Sequence, residues 1–132
     1  MKVLGIETSG LVGSVAIGED SSILEERSFD RGMRHGKALV SSLEDMFKSL
    51  GVEPDEIGLI AVSSGPGSYT GLRVGIACAK AMAYTLGKPL VAVSTLDVLA
   101  ENAPTNETTV CPVLDARREQ VYARIYKRSG AL

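Results

Sequence analysis

The sequence predicts an α/β fold in which helices flank a mixed five-stranded sheet. Three observations predict it. Three short strand-like runs, separated by small turns, fill the first thirty residues. Two long stretches then show apolar residues at helical spacing. An apolar strand-like run follows each of them, and helices that alternate with strands are typical of parallel strand pairs.

The first three strands are predicted over residues 2–7, 13–18 and 22–29, with sequences KVLGIE, GSVAIG and SILEERSF. Their turns, TSG and EDSS, are short and made of small or polar residues. Short turns between consecutive strands favour an antiparallel meander.

The first helix is predicted over residues 34–50, before Gly51, which suits a C-terminal cap. Its apolar face comprises Leu39, Leu43, Met46, Phe47 and Leu50. Residues 57–63, IGLIAVS, then predict a buried strand.

The second helix is predicted from Tyr69 or Thr70 to Leu86, ending before Gly87. A strand is predicted over residues 89–94. Ser94 and Asp97 fit a capping box for a short helix over residues 95–103.

A polar stretch at residues 104–109 predicts a boundary between a first unit, 1–104, and a second unit, 105–132. After it, residues 110–116 and 120–127 predict a β-hairpin. Three strands followed by helix, strand, helix and strand is the order of the ribonuclease H-like lobe shared by actin-like ATPases and sugar kinases. We expect residues 105–132 to begin a second, similar lobe that is incomplete. Element order supports a fold but not a function.

Composition excludes some functions. The 132 residues carry a formal net charge of -2, whereas free-standing nucleic-acid binders usually show a basic excess. Cys78 and Cys111 lie in apolar surroundings without metal-ligand spacing, which predicts two reduced, packed thiols. No apolar run approaches the ~20 residues of a membrane span, and we expect a cytoplasmic protein.

A glycine-rich elbow, SSGPGSYTGLRVG at residues 63–75, joins a strand to the second helix. It lacks the lysine of a Walker loop and fails the dinucleotide fingerprint at Thr70. Free N–H groups at the helix start can bind an anion, or Ser68 or Thr70 can cap them instead; capping is the favoured interpretation. The candidate anion or nucleotide loop comprises Thr8, Ser9, Gly65, Gly67, Ser68, Thr70 and Arg73.

The second helix also carries small residues at every fourth position: Gly71, Gly75, Ala79 and Ala83. Such a ridge lets another backbone approach closely. The helix is apolar almost all round, so we expect it to be covered on more than one side. Either the first helix or a partner protein supplies that cover, and the sequence leaves both open.

Catalytic groups are sparse. The only histidine is His35, which excludes a metal site built on several histidines. Glu7 and Asp115 follow predicted strands, but two carboxylates make a weak metal site. We predict no catalytic residues, no metal site and no self-sufficient catalysis.

The elbow, the segments LGIETSG and SVAIG, and VLDARREQVYARIY together resemble the bacterial TsaB (YeaZ) family. The resemblance covers nearly the whole chain. It implies a non-catalytic partner of the related protein TsaD, and of the ATPase TsaE, in making threonylcarbamoyladenosine beside the tRNA anticodon. It also implies self-pairing through the same two helices, only indirect contact with tRNA, and no cofactor outside an assembled complex, where ATP would bind.

Carried over by position, the resemblance places partner contacts on the two predicted helices. The interface residues are His35, Leu39, Leu43, Gly71, Gly75, Cys78, Ala79 and Met82. The rival hypothesis is an enzyme: a kinase-like ATPase that uses Thr8, Ser9 and the elbow, or a glycoprotease-like metalloenzyme.

Overall fold

The computed structural model describes residues 1–30, 35–104 and 106–127. Its centre is one five-stranded sheet with the strand order β3-β2-β1-β4-β5. The strands are β1 (Lys2–Glu7), β2 (Val12–Glu19), β3 (Ser22–Asp30), β4 (Ile57–Ser63) and β5 (Leu90–Val93).

Strand pairing confirms the predicted mixed sheet. β1, β2 and β3 form the antiparallel meander, while β4 runs parallel to both β1 and β5. A helix joins β4 to its parallel neighbour β5, as a parallel crossover requires. Another helix joins β3 to β4, which run in the same direction with β2 and β1 between them.

Two helices cover one face of this sheet. They are α1 (His35–Leu50) and α2 (Tyr69–Leu86), and they end before Gly51 and Gly87 as predicted. The core lies between them and the alternate strand residues on that face. Its largest fully buried apolar members are Leu4, Val15, Ile17, Leu39, Met46, Ile57 and Ile60.

The third helix differs from its predicted form. α3 spans Thr95–Glu101, two residues shorter than predicted. Ser94 caps it by accepting a hydrogen bond from the Leu96 backbone N–H at 3.2 Å. Asp97 is not part of a capping box, because its carboxylate accepts hydrogen bonds from Arg124 and Tyr126 instead.

The segment 106–127 forms the predicted hairpin in two pieces. Its strands are β6 (Thr109–Val110), β7 (Val113–Arg117), β8 (Gln120–Ala123) and β9 (Tyr126–Lys127). β7 pairs with β8 and β6 pairs with β9, both antiparallel. Val110 lies opposite Tyr126 and Val113 opposite Ala123, so one register runs through both pieces. The boundary placed between residues 104 and 105 stays a prediction.

The helices among the described residues are all too short or too polar to cross a lipid bilayer.

Candidate functional site

The elbow between β4 and α2 lies directly on the turn that follows β1. The Ser68 backbone N–H donates a hydrogen bond to the Ser9 carbonyl at 2.7 Å. A Cβ placed on Gly67 would lie 2.6 Å from that same carbonyl oxygen. Only glycine fits at this position, because any side chain would push the elbow off the turn.

Ser68 caps α2. Its backbone is extended, and its side-chain oxygen accepts a hydrogen bond from the Gly71 N–H at 3.3 Å. Thr70 lies inside the first turn and is exposed. The sequence left the choice between Ser68 and Thr70 open, and the capping interpretation is confirmed with Ser68 in that role.

The ridge of small residues faces this chain's own sheet. Gly71, Gly75, Ala79 and Ala83 are the buried residues of α2. A Cβ on Gly75 would overlap the Thr8 Oγ1 and lie 3.2 Å from two further Thr8 atoms. At Gly75 the ridge therefore lets α2 approach Thr8, at the end of β1, closely.

Five of the residues predicted to contact a partner are buried within this chain. Leu39 and Leu43 of α1 are buried in the core, as are the ridge residues Gly71, Gly75 and Ala79. A partner cannot reach these five residues without opening the fold. Cys78 and Met82 are half-buried against the core, and the His35 side chain lies outside the described residues. Whether α1 and α2 pair with a partner stays a prediction.

Glu7 joins the ends of two neighbouring strands. Its carboxylate accepts hydrogen bonds from the Ser9 backbone N–H and from the Ser63 hydroxyl. Asp115 accepts a hydrogen bond at 2.7 Å from the Arg117 backbone N–H, within the β7–β8 hairpin. Each of these carboxylates is thus held by neighbours within its own part of the fold.

Most residues of the candidate anion loop contact one another or neighbouring parts of the fold. Ser9 and Ser68 bind each other, Thr8 is buried beneath Gly75, and the Gly65 carbonyl accepts from the Thr95 N–H at 2.8 Å. The Arg73 guanidinium lies over the Tyr69 ring, 5.4 Å from its centroid. These contacts favour a turn that positions α2, in preference to a phosphate-binding loop. Nucleotide binding stays a hypothesis.

The surface open to a partner is the side of α2 opposite the ridge. We call it the α2 outer face. Its members are the exposed residues Thr70, Arg73, Ala77, Lys80, Ala81 and Tyr84. Tyr84 is 91% exposed, and a shallow groove runs along Thr70, Arg73, Val74 and Ala77. Beside it, α1 exposes Gly36, Lys37, Val40, Ser41 and Glu44 around a second groove.

Comparison with known proteins gives the family. The family model described as "TsaD: tRNA N6-adenosine threonylcarbamoyltransferase" matches residues 31–131. The chain belongs to the TsaD family. Within it the chain is of the TsaB/YeaZ type, as the sequence predicted.

The relatives in this family extend beyond the region matched here. The Bacillus subtilis "tRNA threonylcarbamoyladenosine biosynthesis protein TsaB" is 32% identical over the whole chain, which covers 58% of that protein. The Escherichia coli protein of the same name is 32% identical, with 97% of this chain and 56% of the relative aligned. This TsaD-family chain thus spans less than two thirds of the length of either.

A solved structure confirms the fold. YeaZ from Pseudomonas aeruginosa superimposes with a TM-score of 0.88 at 29% identity, covering 97% of this chain and 61% of that one. Agreement over 97% of this chain confirms the ribonuclease H-like lobe that was expected from the element order.

The two cysteines of this TsaD-family chain differ from each other. Burial raises the pKa of the Cys78 thiol, which is half-buried on α2. Cys111 is exposed, so the prediction of two packed thiols is wrong for that residue. Its apolar sequence neighbours misled the prediction because Cys111 lies at the break between β6 and β7, outside either strand.

Sequence reasoning missed one polar cluster in this family member. Asp97 on α3 accepts a hydrogen bond from the Tyr126 hydroxyl and one from Arg124 at 3.4 Å. Arg124 also lies over the Tyr126 ring, 5.1 Å from its centroid. No local sequence pattern predicts this contact, because Asp97 and Tyr126 are 29 residues apart in sequence.

Within the three described ranges, no group of three or more His, Cys, Asp and Glu side chains could hold a metal ion.

Proposed function

We propose that this chain acts as a scaffold subunit in tRNA threonylcarbamoyladenosine biosynthesis. In that role it has no catalytic step of its own. It pairs with TsaD, and the ATPase TsaE joins the pair to modify the adenosine beside the anticodon. The names of the TsaB relatives support a role in this pathway. Membership of the TsaD family supports a fold shared with TsaD.

The observation that carries the pairing role is the exposed apolar surface on two adjacent helices. Val40 of α1 and Ala77, Ala81 and Tyr84 of α2 are all solvent-exposed in this chain. Contiguous exposed apolar patches mark protein-binding sites, and tyrosine is among the residues enriched at interfaces. The same surface would serve self-pairing, since a two-fold dimer uses one patch on both copies.

The experiment measures binding of TsaD by calorimetry and the rate of threonylcarbamoylation in a mixture with TsaD and TsaE. The variant Ala77→Gln adds bulk at the centre of the α2 outer face and keeps a good helix former. Residues at the centre of an interface contribute most of the binding energy. Added bulk there should raise the dissociation constant for TsaD about tenfold or more. The reaction rate at limiting protein should fall as binding weakens.

The matched control is Ala92→Gln, which makes the same change at an exposed position of β5. It should bind TsaD as tightly as the unmodified protein. Gly75 is unsuitable as a probe, because its contact with Thr8 makes any substitution a test of folding. Equal binding by Ala77→Gln and the unmodified protein would place the pairing surface elsewhere.

The rival hypothesis, a nucleotide-binding enzyme, gains no support from the elbow. Two N–H donors of the elbow are already engaged, since the Ser68 N–H donates to the Ser9 carbonyl and the Gly71 N–H donates to the Ser68 side chain. Calorimetry with Mg-ATP tests it directly: stoichiometric binding by this protein alone would favour the rival.

A further inference from the structure

Three consecutive residues at the tip of the β7–β8 hairpin have a left-handed backbone. Arg117, Arg118 and Glu119 have φ angles of 64°, 52° and 62°. Among the described residues, the only other non-glycine residue with a positive φ is Asp20. A left-handed backbone is unfavourable for residues with a Cβ, and two-residue hairpin turns usually contain asparagine and glycine. Strained residues of this kind cluster at binding sites, so the tip is a candidate site.

Asp115 holds this tip in place. Its carboxylate accepts a hydrogen bond from the Arg117 backbone N–H at 2.7 Å. The strand register shifts between Asp115 and Arg117, so β7 carries one extra residue there, as in a β-bulge. The carboxylate is therefore engaged with the backbone of the hairpin.

The two arginines of the tip are exposed. Within the described ranges, neither Arg117 nor Arg118 forms an ion pair or lies over an aromatic ring. By contrast, Arg27 and Arg124 both pair with carboxylates. A guanidinium group can donate two parallel hydrogen bonds to one phosphate, which makes arginine well suited to phosphate recognition.

Charge is divided unevenly along the chain. Residues 1–104 contain nine basic and thirteen acidic residues, whereas residues 105–132 contain five basic and three acidic ones. The part of the chain that includes the hairpin is therefore positive, while the rest is negative. Such asymmetry indicates a local contact with a nucleic acid, even in a chain whose total charge is negative.

We infer that the tip of the β7–β8 hairpin contacts phosphate groups of the tRNA backbone through Arg117 and Arg118. This inference rests on the proposed function, which makes tRNA the substrate of the assembly. It replaces the indirect contact that the family resemblance implies with a direct one. Phosphate contacts position a nucleic acid without reading its sequence, so the hairpin orients the tRNA and leaves recognition of the target adenosine to the rest of the assembly.

The experiment titrates a fluorescently labelled, unmodified tRNA transcript with TsaD alone and with an equimolar mixture of TsaD and this protein. The mixture should bind the tRNA more tightly than TsaD does. The double variant Arg117→Gln with Arg118→Gln should weaken binding by the mixture about tenfold at low salt, because two phosphate contacts are lost. The slope of log affinity against log salt concentration should become shallower by about two. Calorimetry should show that TsaD binding is unchanged.

A second variant separates the contact from the net charge and from misfolding. Arg118→Asn with Glu119→Gly leaves the net charge unchanged and gives the turn the two residues that its backbone favours. The midpoint of thermal unfolding should rise, because the strain is relieved. Binding of tRNA should nevertheless weaken about threefold or more, since one phosphate contact is lost.

The matched control is Lys48→Gln with Lys88→Gln, which removes two positive charges elsewhere in the chain. It should change tRNA affinity by less than about twofold, because distant exposed charges are screened. Equal tRNA binding by TsaD alone and by the mixture would overturn the inference, as would tip variants that bind like the control. Competition between Mg-ATP and tRNA that disappears in the tip variants would also overturn it, since the tip would then bind a free nucleotide. The proposed function fails separately, if the mixture with TsaE binds tRNA but forms no threonylcarbamoyladenosine.

Discussion

Thr8 and Ser9 follow the last residue of β1, and both lie against a glycine that is distant in sequence. Gly75 of α2 covers Thr8, and Gly67 of the elbow covers Ser9. Glu7, one residue earlier, binds the Ser9 N–H and the Ser63 hydroxyl. At this scale the fold depends on close approach between backbones, for which the absence of a side chain is the essential property.

Adding one methyl group at the first of these contacts should destabilise the protein. Gly75→Ala places a Cβ against the Thr8 side chain, and the overlap should lower the free energy of unfolding by about 1–3 kcal/mol. This loss exceeds the gain of up to about 1 kcal/mol that alanine brings to a helix. Urea denaturation followed by circular dichroism measures the change.

Gly36→Ala is the matched control, because Gly36 is an exposed helical glycine with no atom near its missing Cβ. It should be neutral or stabilising by a few tenths to about 1 kcal/mol. If Gly75→Ala were as stable as Gly36→Ala, the contact with Thr8 would not constrain α2.

Apolar periodicity in the two long helices predicted some of their structural features and not others. Apolar spacing predicted both ends of α2 and the buried face of α1, because those patterns are local. Cover on a second side of α2 stays a prediction, because that side is exposed in this chain. The exposed side of that helix contains Ala77 and Ala81, and a methyl group counts as apolar in the sequence yet exposes little area. The direction of the glycine ridge was also hidden, since spacing alone cannot say which neighbour a ridge meets.

The start of α2 gives a prediction for this element. Ser68→Ala removes the side-chain acceptor of the Gly71 N–H and should cost about 1 kcal/mol of stability. Thr70→Ala, two residues later and exposed, should change stability by less than about 0.5 kcal/mol. Thermal and urea unfolding of both variants provide the comparison; a larger loss for Thr70→Ala would reassign the cap.

Across the whole molecule, a cluster of side chains connects the 106–127 segment to α3. Asp97 accepts from Arg124 and Tyr126, so β9 is fixed beside a helix of the main sheet. The antiparallel meander of β1, β2 and β3 could be predicted from the sequence, because consecutive strands with short turns usually lie side by side. The position of β4 beside β1, and not beside β3, does not follow from that rule. The attachment through Asp97 could not be predicted either, because it joins residues from different elements and has no periodic signature.

Tyr126→Phe tests this attachment. Partial burial, followed by the hydrogen bond to Asp97, raises the pKa of Tyr126 above its ordinary value. Because the pKa is raised in the folded state, the contribution of the Tyr126 hydroxyl to stability is fully present at pH values below its ordinary pKa. That contribution is lost as the pH rises through the raised pKa. At neutral pH, Tyr126→Phe should therefore increase amide hydrogen exchange across residues 109–127.

The difference between Tyr126→Phe and the unmodified protein should shrink at strongly alkaline pH, where the unmodified hydroxyl ionises beside Asp97. Tyr84→Phe removes a hydroxyl from a side chain that is 91% exposed and should leave exchange unchanged. Identical exchange in both variants at neutral pH would show that Asp97 does not hold the segment.

The fit between Gly75 and Thr8 also sets the longitudinal position of α2. Shifting the helix by one residue, about 1.5 Å along its axis with a rotation of about 100°, would bring Val74 or Ile76 to the place where only a hydrogen atom fits. Gly75 therefore permits one alignment of α2 against β1 and excludes the alignments that are shifted by one residue. A displacement of α2 along its axis would therefore press against Thr8 at the end of β1.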